Sequence, residues 1–292
     1  MTKAIVGIIG GSGIYNFSAL KDVHEVAVST PWGEPSDPLR IGKVGATDVV
    51  FLSRHGRGHR YSPSTINYRA NIDAMKRLGV TDIVSLSACG SFRKELHPGL
   101  LVIVDQFDDR TYRRENSYFG TGCVAHVPFS HPVAPNLSRR LVDAAAAVGV
   151  NFRKGGAYLC MEGPQFSTLS ESQRNQAAGA DLVGMTAATE AKLAREAEIS
   201  YALVALVTDY DCWHEEHGPV DVAAVLKVME QNAHSAEALL IRFLSDFPDE
   251  HEPCPIGSDR ALDNAIMTSP EARDPALMAK LDAVCARVLN AR

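Results

Sequence analysis

KAIVGIIGGSGIY, residues 3–15, decides how the rest of the chain is read. Residues 5–9 form a short apolar run rich in β-branched side chains, and Gly10-Gly11-Ser12-Gly13 ends it. This is the form of a buried strand that delivers the backbone into a glycine turn. The run is too short for a signal peptide and lacks a small-residue cleavage site. Similar runs recur at residues 49–53, 82–86, 101–104 and 202–207. Between them, residues 66–78, 136–148, 170–178, 188–197 and 222–244 repeat apolar positions at helical spacing. Pro135 followed by Asn136, and Asp221 before Val222, predict helix starts. Strands alternating with helices imply an α/β fold whose sheet is covered by helices.

No Pro/Gly/Ser-rich linker and no internal repeat divides the 292 residues, so a single domain over residues 1–292 is expected. Residues 247–275 hold five prolines and many charges. They are expected to wrap the surface or a neighbouring subunit before a last helix over residues 276–289. A formal net charge of −6 argues against nucleic acid or an anionic membrane as the main partner. An acidic chain can still bind a phosphate through a few local cations and amides. The six cysteines are scattered without a CxxC pair, which fits reduced thiols in a cytoplasmic protein ahead of disulfides or a metal site. The strongest apolar run, around residues 199–207, has the length of a strand and not of a membrane span.

Five motifs could carry chemistry. Gly10-Gly11-Ser12-Gly13 can present amides and a hydroxyl to an anion, or be a tight turn only. It is neither a dinucleotide fingerprint, since Asn16 holds the third glycine position, nor a nucleophile elbow, since Ile14 replaces the last glycine. Arg54-His55-Gly56 ends the second strand. It offers a planar fork of donors and an imidazole able to change charge near neutrality; a carboxylate pair for Arg54 fits as well. Ser87-Ala88-Cys89-Gly90-Ser91 reads as a small-residue turn at a strand's carboxyl end, suited to a ligand crevice or to close packing.

In Met161-Glu162-Gly163-Pro164-Gln165-Phe166-Ser167 and Gly184-Met185-Thr186, Phe166 can stack on a flat heterocycle and Met185 can fill space beside a sugar, though both types are commoner in cores. Thr208-Asp209-Tyr210-Asp211-Cys212-Trp213 carries most information. Asp209 and Asp211 share one side of an extended segment, where two carboxylates are costly unless a ligand uses them. Adenine can use both: a protonated carboxyl donates to N7, and an ionised one accepts from the 6-amino group. Neighbouring His214-Glu215-Glu216-His217 is not the H-E-x-x-H zinc pattern, so metal is not expected.

Taken in order, GIIGGSGIY, RHGRGHRYSPSTINYRANI, SACGS, VDQFDDRT, MEGPQFS, GMT and TDYDCWHEEH resemble the 5′-methylthioadenosine phosphorylase family, within the trimeric purine nucleoside phosphorylase superfamily. The resemblance covers a core of about residues 3–245 and leaves 246–292 as a C-terminal extension. It implies a central mixed, partly barrel-like sheet flanked by helices. It implies a phosphate site made by Ser12, Arg54, His55, Ser87, the Ala88 amide and Thr186. It further implies a sugar against Met185 and Phe166, and a base read by Asp209, Tyr210 and Asp211 with Ser167 at its edge. Val222 and Val225 lie beside the 5′ substituent, and His126 from a neighbouring subunit of a homotrimer closes that pocket. Asp209 in place of the asparagine of 6-oxopurine enzymes, and apolar Val222 in place of a histidine, favour adenine with a methylthio tail. Gln165, Leu169 and Thr189 depart from the family's usual residues.

The implied reaction is phosphorolysis of S-methyl-5′-thioadenosine to adenine and 5-methylthioribose 1-phosphate, with Asp209 and Asp211 as the catalytic acids. It serves purine and methionine salvage and needs no cofactor beyond phosphate as co-substrate. A broader adenosine or purine nucleoside phosphorylase is the alternative, with a hydrolytic nucleosidase and a non-catalytic nucleoside sensor as more distant ones.

Overall fold

The computed structural model describes residues 2–11, 14, 17–214 and 222–289. The predicted helix start at Asp221 and the candidate anion ligand Ser12 lie outside them. Among the described residues eleven strands form one mixed sheet: β1 (Ile5–Gly10), β2 (Lys21–Val26), β3 (Leu39–Val44), β4 (Thr47–Ser53), β5 (Asp82–Ser91), β6 (Leu101–Ile103), β7 (Gln106–Asp109), β8 (Phe152–Lys154), β9 (Ala157–Cys160), β10 (Leu182–Gly184) and β11 (Ser200–Asp209). The helices are α1 (Tyr68–Arg77), α2 (Pro135–Val148), α3 (Leu169–Ala177), α4 (Ala187–Glu196), α5 (Val222–Ser245), α6 (Pro275–Lys280) and α7 (Ala286–Leu289).

β5 is the axis of the sheet. Its first half pairs in parallel with β1, its last residues pair antiparallel with β10, and β11 runs in parallel along its whole other edge. The order β2-β3-β4-β1-β5-β10-β9-β7 therefore carries a side branch, β11-β6-β8, at β5. The partly barrel-like arrangement expected of the family is met here by a branched sheet that does not close. The stretch Ser87–Ser91, read from sequence as a turn, belongs to β5. Its small side chains let Ser87, Ala88 and Cys89 pair with Ala205, Leu206 and Val207 of β11.

Both faces of the sheet are covered, as the alternation of β11 requires. Leu203, Ala205 and Val207 enter a core with Ile72 and Met75 of α1 and Ala191 of α4. Ala202, Val204 and Leu206 enter a second core with Leu141 of α2 and Leu239 and Leu240 of α5. Local sequence sets the helix limits. Asn67 caps α1 by accepting the Ala70 amide, Pro135 occupies the first turn of α2, and Thr168 with Glu171 forms a capping box on α3.

The C-terminal extension wraps the surface of its own chain. Backbone bonds tie Met267 to Val124 and His126 to Ala265, while Leu262, Leu281 and Cys285 enter the first core. The single last helix expected over residues 276–289 is two short ones. Between them the Asp282 carboxylate accepts the amide of its neighbour Ala283 and pairs with Arg77, competing with the helical ladder.

Candidate active site

The carboxyl ends of β4, β5 and β11 and the loop after β10 open into one cavity of about 760 Å³. Its lining includes Arg54, His55, Ser87, Ala88, Phe166, Met185, Thr186, Asp209, Asp211, Val222 and Val225, so most residues singled out in the sequence converge there. A crevice beyond the carboxyl ends of strands is where α/β sheets hold ligands.

At one end stands Arg54, 1% exposed. Its Nε and Nη2 grip the two carboxylate oxygens of Glu190, Nη2 also donates to Ser85 Oγ at 2.6 Å, and Nη1 donates to the Leu86 carbonyl at 2.9 Å. Burial opposes its charge, but the Glu190 carboxylate outweighs burial and holds the guanidinium above its usual range. Gly11 is needed beside it, because a Cβ there would lie 2.6 Å from Nη1. Glu190 and Ser85, which orient Arg54, were not assigned a role from sequence; a lone acid within a helical pattern and a serine within a strand carry no mark of it.

His55 corrects an expectation. Burial, then the charge of Arg54, push its imidazole down to about 3, so the ring is neutral at ordinary pH instead of titrating near neutrality. Nδ1 lies 2.8 Å from the Tyr61 carbonyl, a contact that places the ring proton on Nδ1 and leaves Nε2 as an acceptor. Ser87 Oγ sits 3.1 Å from the Tyr158 hydroxyl. Thr186 occupies the N-cap position of α4 without capping it, and its buried Oγ1 has no partner among the described residues. A free hydroxyl at a helix N-terminus, where amides and the helix dipole face outward, is a seat for an anion.

At the other end Asp209 and Asp211 face the cavity, but not by simple alternation. β11 ends at Asp209, and Asp211 adopts a left-handed turn conformation (φ 53°) that folds its amide back onto Asp209 Oδ1 at 2.8 Å. Burial raises the pKa of Asp209, helped by the charge of Asp211, and a hydrogen bond from Thr208 opposes the rise. Burial likewise raises that of Asp211. Gly90 makes room for Asp209: a Cβ there would be 2.7 Å from Oδ1.

Two residues, Tyr210 and Ser167, differ from expectation. Tyr210 turns away from the cavity; its hydroxyl donates to the Lys94 carbonyl and its ring stacks on His214. Ser167 does not line the cavity; its hydroxyl points to Met161 Sδ at 3.8 Å. His126 is exposed on a segment outside its own chain's cavity. Conversely, Leu226 and Met229 join Val222 and Val225 on the wall. These four positions follow the i, i+3, i+4, i+7 spacing of one face of α5, so the helical period already implied the second pair. His59 and Arg60 also line the cavity, with His59 stacked on His55 at 4.1 Å. Among the described residues no group of three or more His, Cys, Asp or Glu could hold a metal ion, and no helix is long and apolar enough to cross a membrane.

A cavity at the carboxyl ends of the strands, lined by Arg54, Thr186, Asp209 and Asp211, is shared by an enzyme class that comparison with known proteins identifies: the chain belongs to the phosphorylase superfamily, whose model matches residues 5–245. It is 60% identical to the S-methyl-5′-thioadenosine phosphorylase of Bradyrhizobium diazoefficiens, over 99% of this chain and 100% of the relative. It is 55% identical to that of Cereibacter sphaeroides, over 99% of each. A crystal structure of methylthioadenosine phosphorylase from an antarctic soil metagenomic library superposes with a TM-score of 0.89 at 40% identity, covering 97% of this chain and 99% of the other. The Schistosoma mansoni methylthioadenosine phosphorylase in complex with adenine gives a TM-score of 0.81 at 34% identity, covering 97% and 98%.

Proposed function

We propose that this enzyme cleaves S-methyl-5′-thioadenosine with inorganic phosphate, giving adenine and 5-methylthioribose 1-phosphate. The observation that carries the reading is the pairing, in one cavity, of the Arg54–Thr186 anion seat with Asp209 and Asp211. Phosphate bound between Arg54, the Thr186 hydroxyl and Ser87 faces the sugar's anomeric carbon. As the bond from that carbon to N9 lengthens, the sugar gains oxocarbenium character, which the phosphate charge stabilises before one of its oxygens bonds to the carbon. The bonding electrons pass into the base, and Asp209 gives its proton to N7, so adenine leaves neutral. No covalent enzyme intermediate is needed. Asp211 accepts from the 6-amino group. Val222, Val225, Leu226 and Met229 offer an apolar berth for a methylthio group and no partner for a 5′-hydroxyl.

The same reading makes phosphate a co-substrate, with no metal or organic cofactor, and places the enzyme in cytoplasmic purine and methionine salvage. A homotrimer in which His126 of one chain closes a neighbour's pocket fits the exposed position of that residue. The same reading takes residues 1–292 as one nucleoside phosphorylase domain, with a core of about 3–245 and a C-terminal extension of about 246–292. Adenine release from methylthioadenosine, measured with and without phosphate and set beside adenosine and inosine, tests the proposal. Phosphate-dependent cleavage with methylthioadenosine preferred is expected. Release that ignores phosphate would make the enzyme a hydrolase, and equal rates with adenosine would make it the broader phosphorylase.

A further inference from the structure

The strand that delivers Asp209 carries a bulge. Register passes from Val207↔Cys89 directly to Asp209↔Gly90, which leaves Thr208 as the extra residue. In an unbroken strand, residues 208 and 209 would point to opposite faces. The bulge breaks that alternation, as bulges beside active sites commonly re-aim a side chain. Thr208 Oγ1 thereby comes to lie 2.7 Å from Asp209 Oδ2 and 3.2 Å from the Cys89 carbonyl oxygen. A hydroxyl has one proton, so it serves one of these acceptors at a time. The other carboxyl oxygen, Oδ1, is already held by the Asp211 amide.

We propose that Thr208 is a positioning residue for the acid Asp209, its hydroxyl bonding the Cys89 carbonyl while Asp209 holds its proton and turning to Oδ2 once the proton has gone to the base. This rests on the reading of Asp209 as the proton donor. In the step itself the Asp209 O–H bond breaks, an N–H bond forms at N7, and the electron pair stays on the carboxylate. The Thr208 O–H bond is never broken; it only changes acceptor. A hydrogen bond to a carboxylate is about twice as strong as one to a neutral carboxyl, so the Thr208 bond strengthens as the proton leaves. The carboxylate is favoured by Thr208 against the burial that disfavours it. The titratable groups that bear on Asp209 are Asp211 on the same segment and the Cys89 thiol on β5, with Glu171 of α3 acting on Asp211. The Asp211 carboxylate opposes a second negative charge and Glu171 bears on it through Asp211, while the buried Cys89 thiol stays protonated and neutral. Relief for the Asp209 carboxylate comes from the Thr208 hydroxyl and the Asp211 amide.

The test is the pH dependence of adenine release in a single turnover with methylthioadenosine and saturating phosphate. Thr208→Val should slow release about tenfold and move the alkaline limb of the profile up by about one pH unit, the size of one lost hydrogen bond to a charged group. Thr208→Ser, which keeps the hydroxyl, should restore both rate and limb. Thr208→Ala removes the hydroxyl with different packing and should shift the limb as valine does, should the valine variant fail to fold. A slower Thr208→Val enzyme with an unmoved limb, or one indistinguishable from the parent, overturns the proposal. Asp209→Asn separates the two ideas: activity within a few-fold of the parent sinks the acid itself, whatever Thr208 does.

Discussion

His55 shows how a single ring changes meaning once its surroundings are known. Next to Arg54 and out of water, the imidazolium is disfavoured twice over, and the neutral ring is fixed by the Tyr61 carbonyl. Its folded pKa lies below the ordinary value near 6.5, so the stability tied to the neutral ring is fully present above that value. It is lost as pH falls toward about 3. The His55 ring protons, followed by NMR on the free enzyme, should therefore show no titration between pH 5 and 8. An inflection near 6.5 would mean that the ring is not held as described. The motif at residues 54–56 announced a cation and an imidazole, but the charge state of the imidazole depends on burial and on the arginine's own partners. Those partners, Glu190 and Ser85, arrive from α4 and β5, 136 and 31 residues away. No local pattern reports them.

Helix α4 works at both ends. Its N-terminus presents Thr186 to the cavity, while its last residue, Glu196, sits where the helix dipole disfavours a carboxylate. Glu196 accepts the Tyr118 amide and the Ser117 hydroxyl, both at 2.7 Å, and so fastens the long connection between β7 and α2 to the helix. Burial pushes this acid up to about 7, against the two hydrogen bonds. A folded pKa above the unfolded value of 4.5 means that folding binds a proton. The associated stability is complete below pH 4.5 and is lost as pH rises through about 7. Glu196→Gln keeps an acceptor for the Tyr118 amide and cannot ionise. Urea unfolding should find the variant and parent alike at pH 5 and the variant more stable at pH 8, by at most about 3 kcal/mol. Identical pH dependence in the two proteins would exclude Glu196 as the titrating group. At this scale the long apolar strands and the capped helices were plain from periodicity. β2 was not, because KDVHEV pairs along a sheet edge with nearly every side chain exposed. β8 and β10 are three residues each, and unlike the equally short β6 neither is marked by a continuous four-residue apolar run. The bulge at Thr208 left no sequence signal either, since it exists only as a mismatch in register with β5.

A segment whose composition suggested a surface wrap also contributes to the core. Residues 246–289 do run over the surface, with Arg140–Glu252 and Arg77–Asp282 pairs along the way and His251 bound to Asp82 at the start of β5. The two arginine pairs, whose carboxylates are exposed, contribute little each, and the largely buried His251–Asp82 contact ties only the start of the segment. The anchoring comes instead from Leu262, Ala265, Leu281, Val284 and Cys285, which complete the core shared by α1, α4 and β11. The family match ends at residue 245, yet the core beneath the catalytic strand does not. Leu281 is fully buried and is not among the residues that line the cavity, so its truncation separates stability from chemistry. Leu281→Ala should lower unfolding free energy by about 2–5 kcal/mol, the cost of a buried leucine plus the cavity it leaves. Adenine release per folded enzyme, measured at a temperature where the variant remains native, should stay at the parent's rate. A loss below about 1 kcal/mol would show that the extension is merely laid on the surface. A stability loss of the expected size with an intact rate makes residues 246–289 part of the core that supports β11, and through β11 of the position of Asp209.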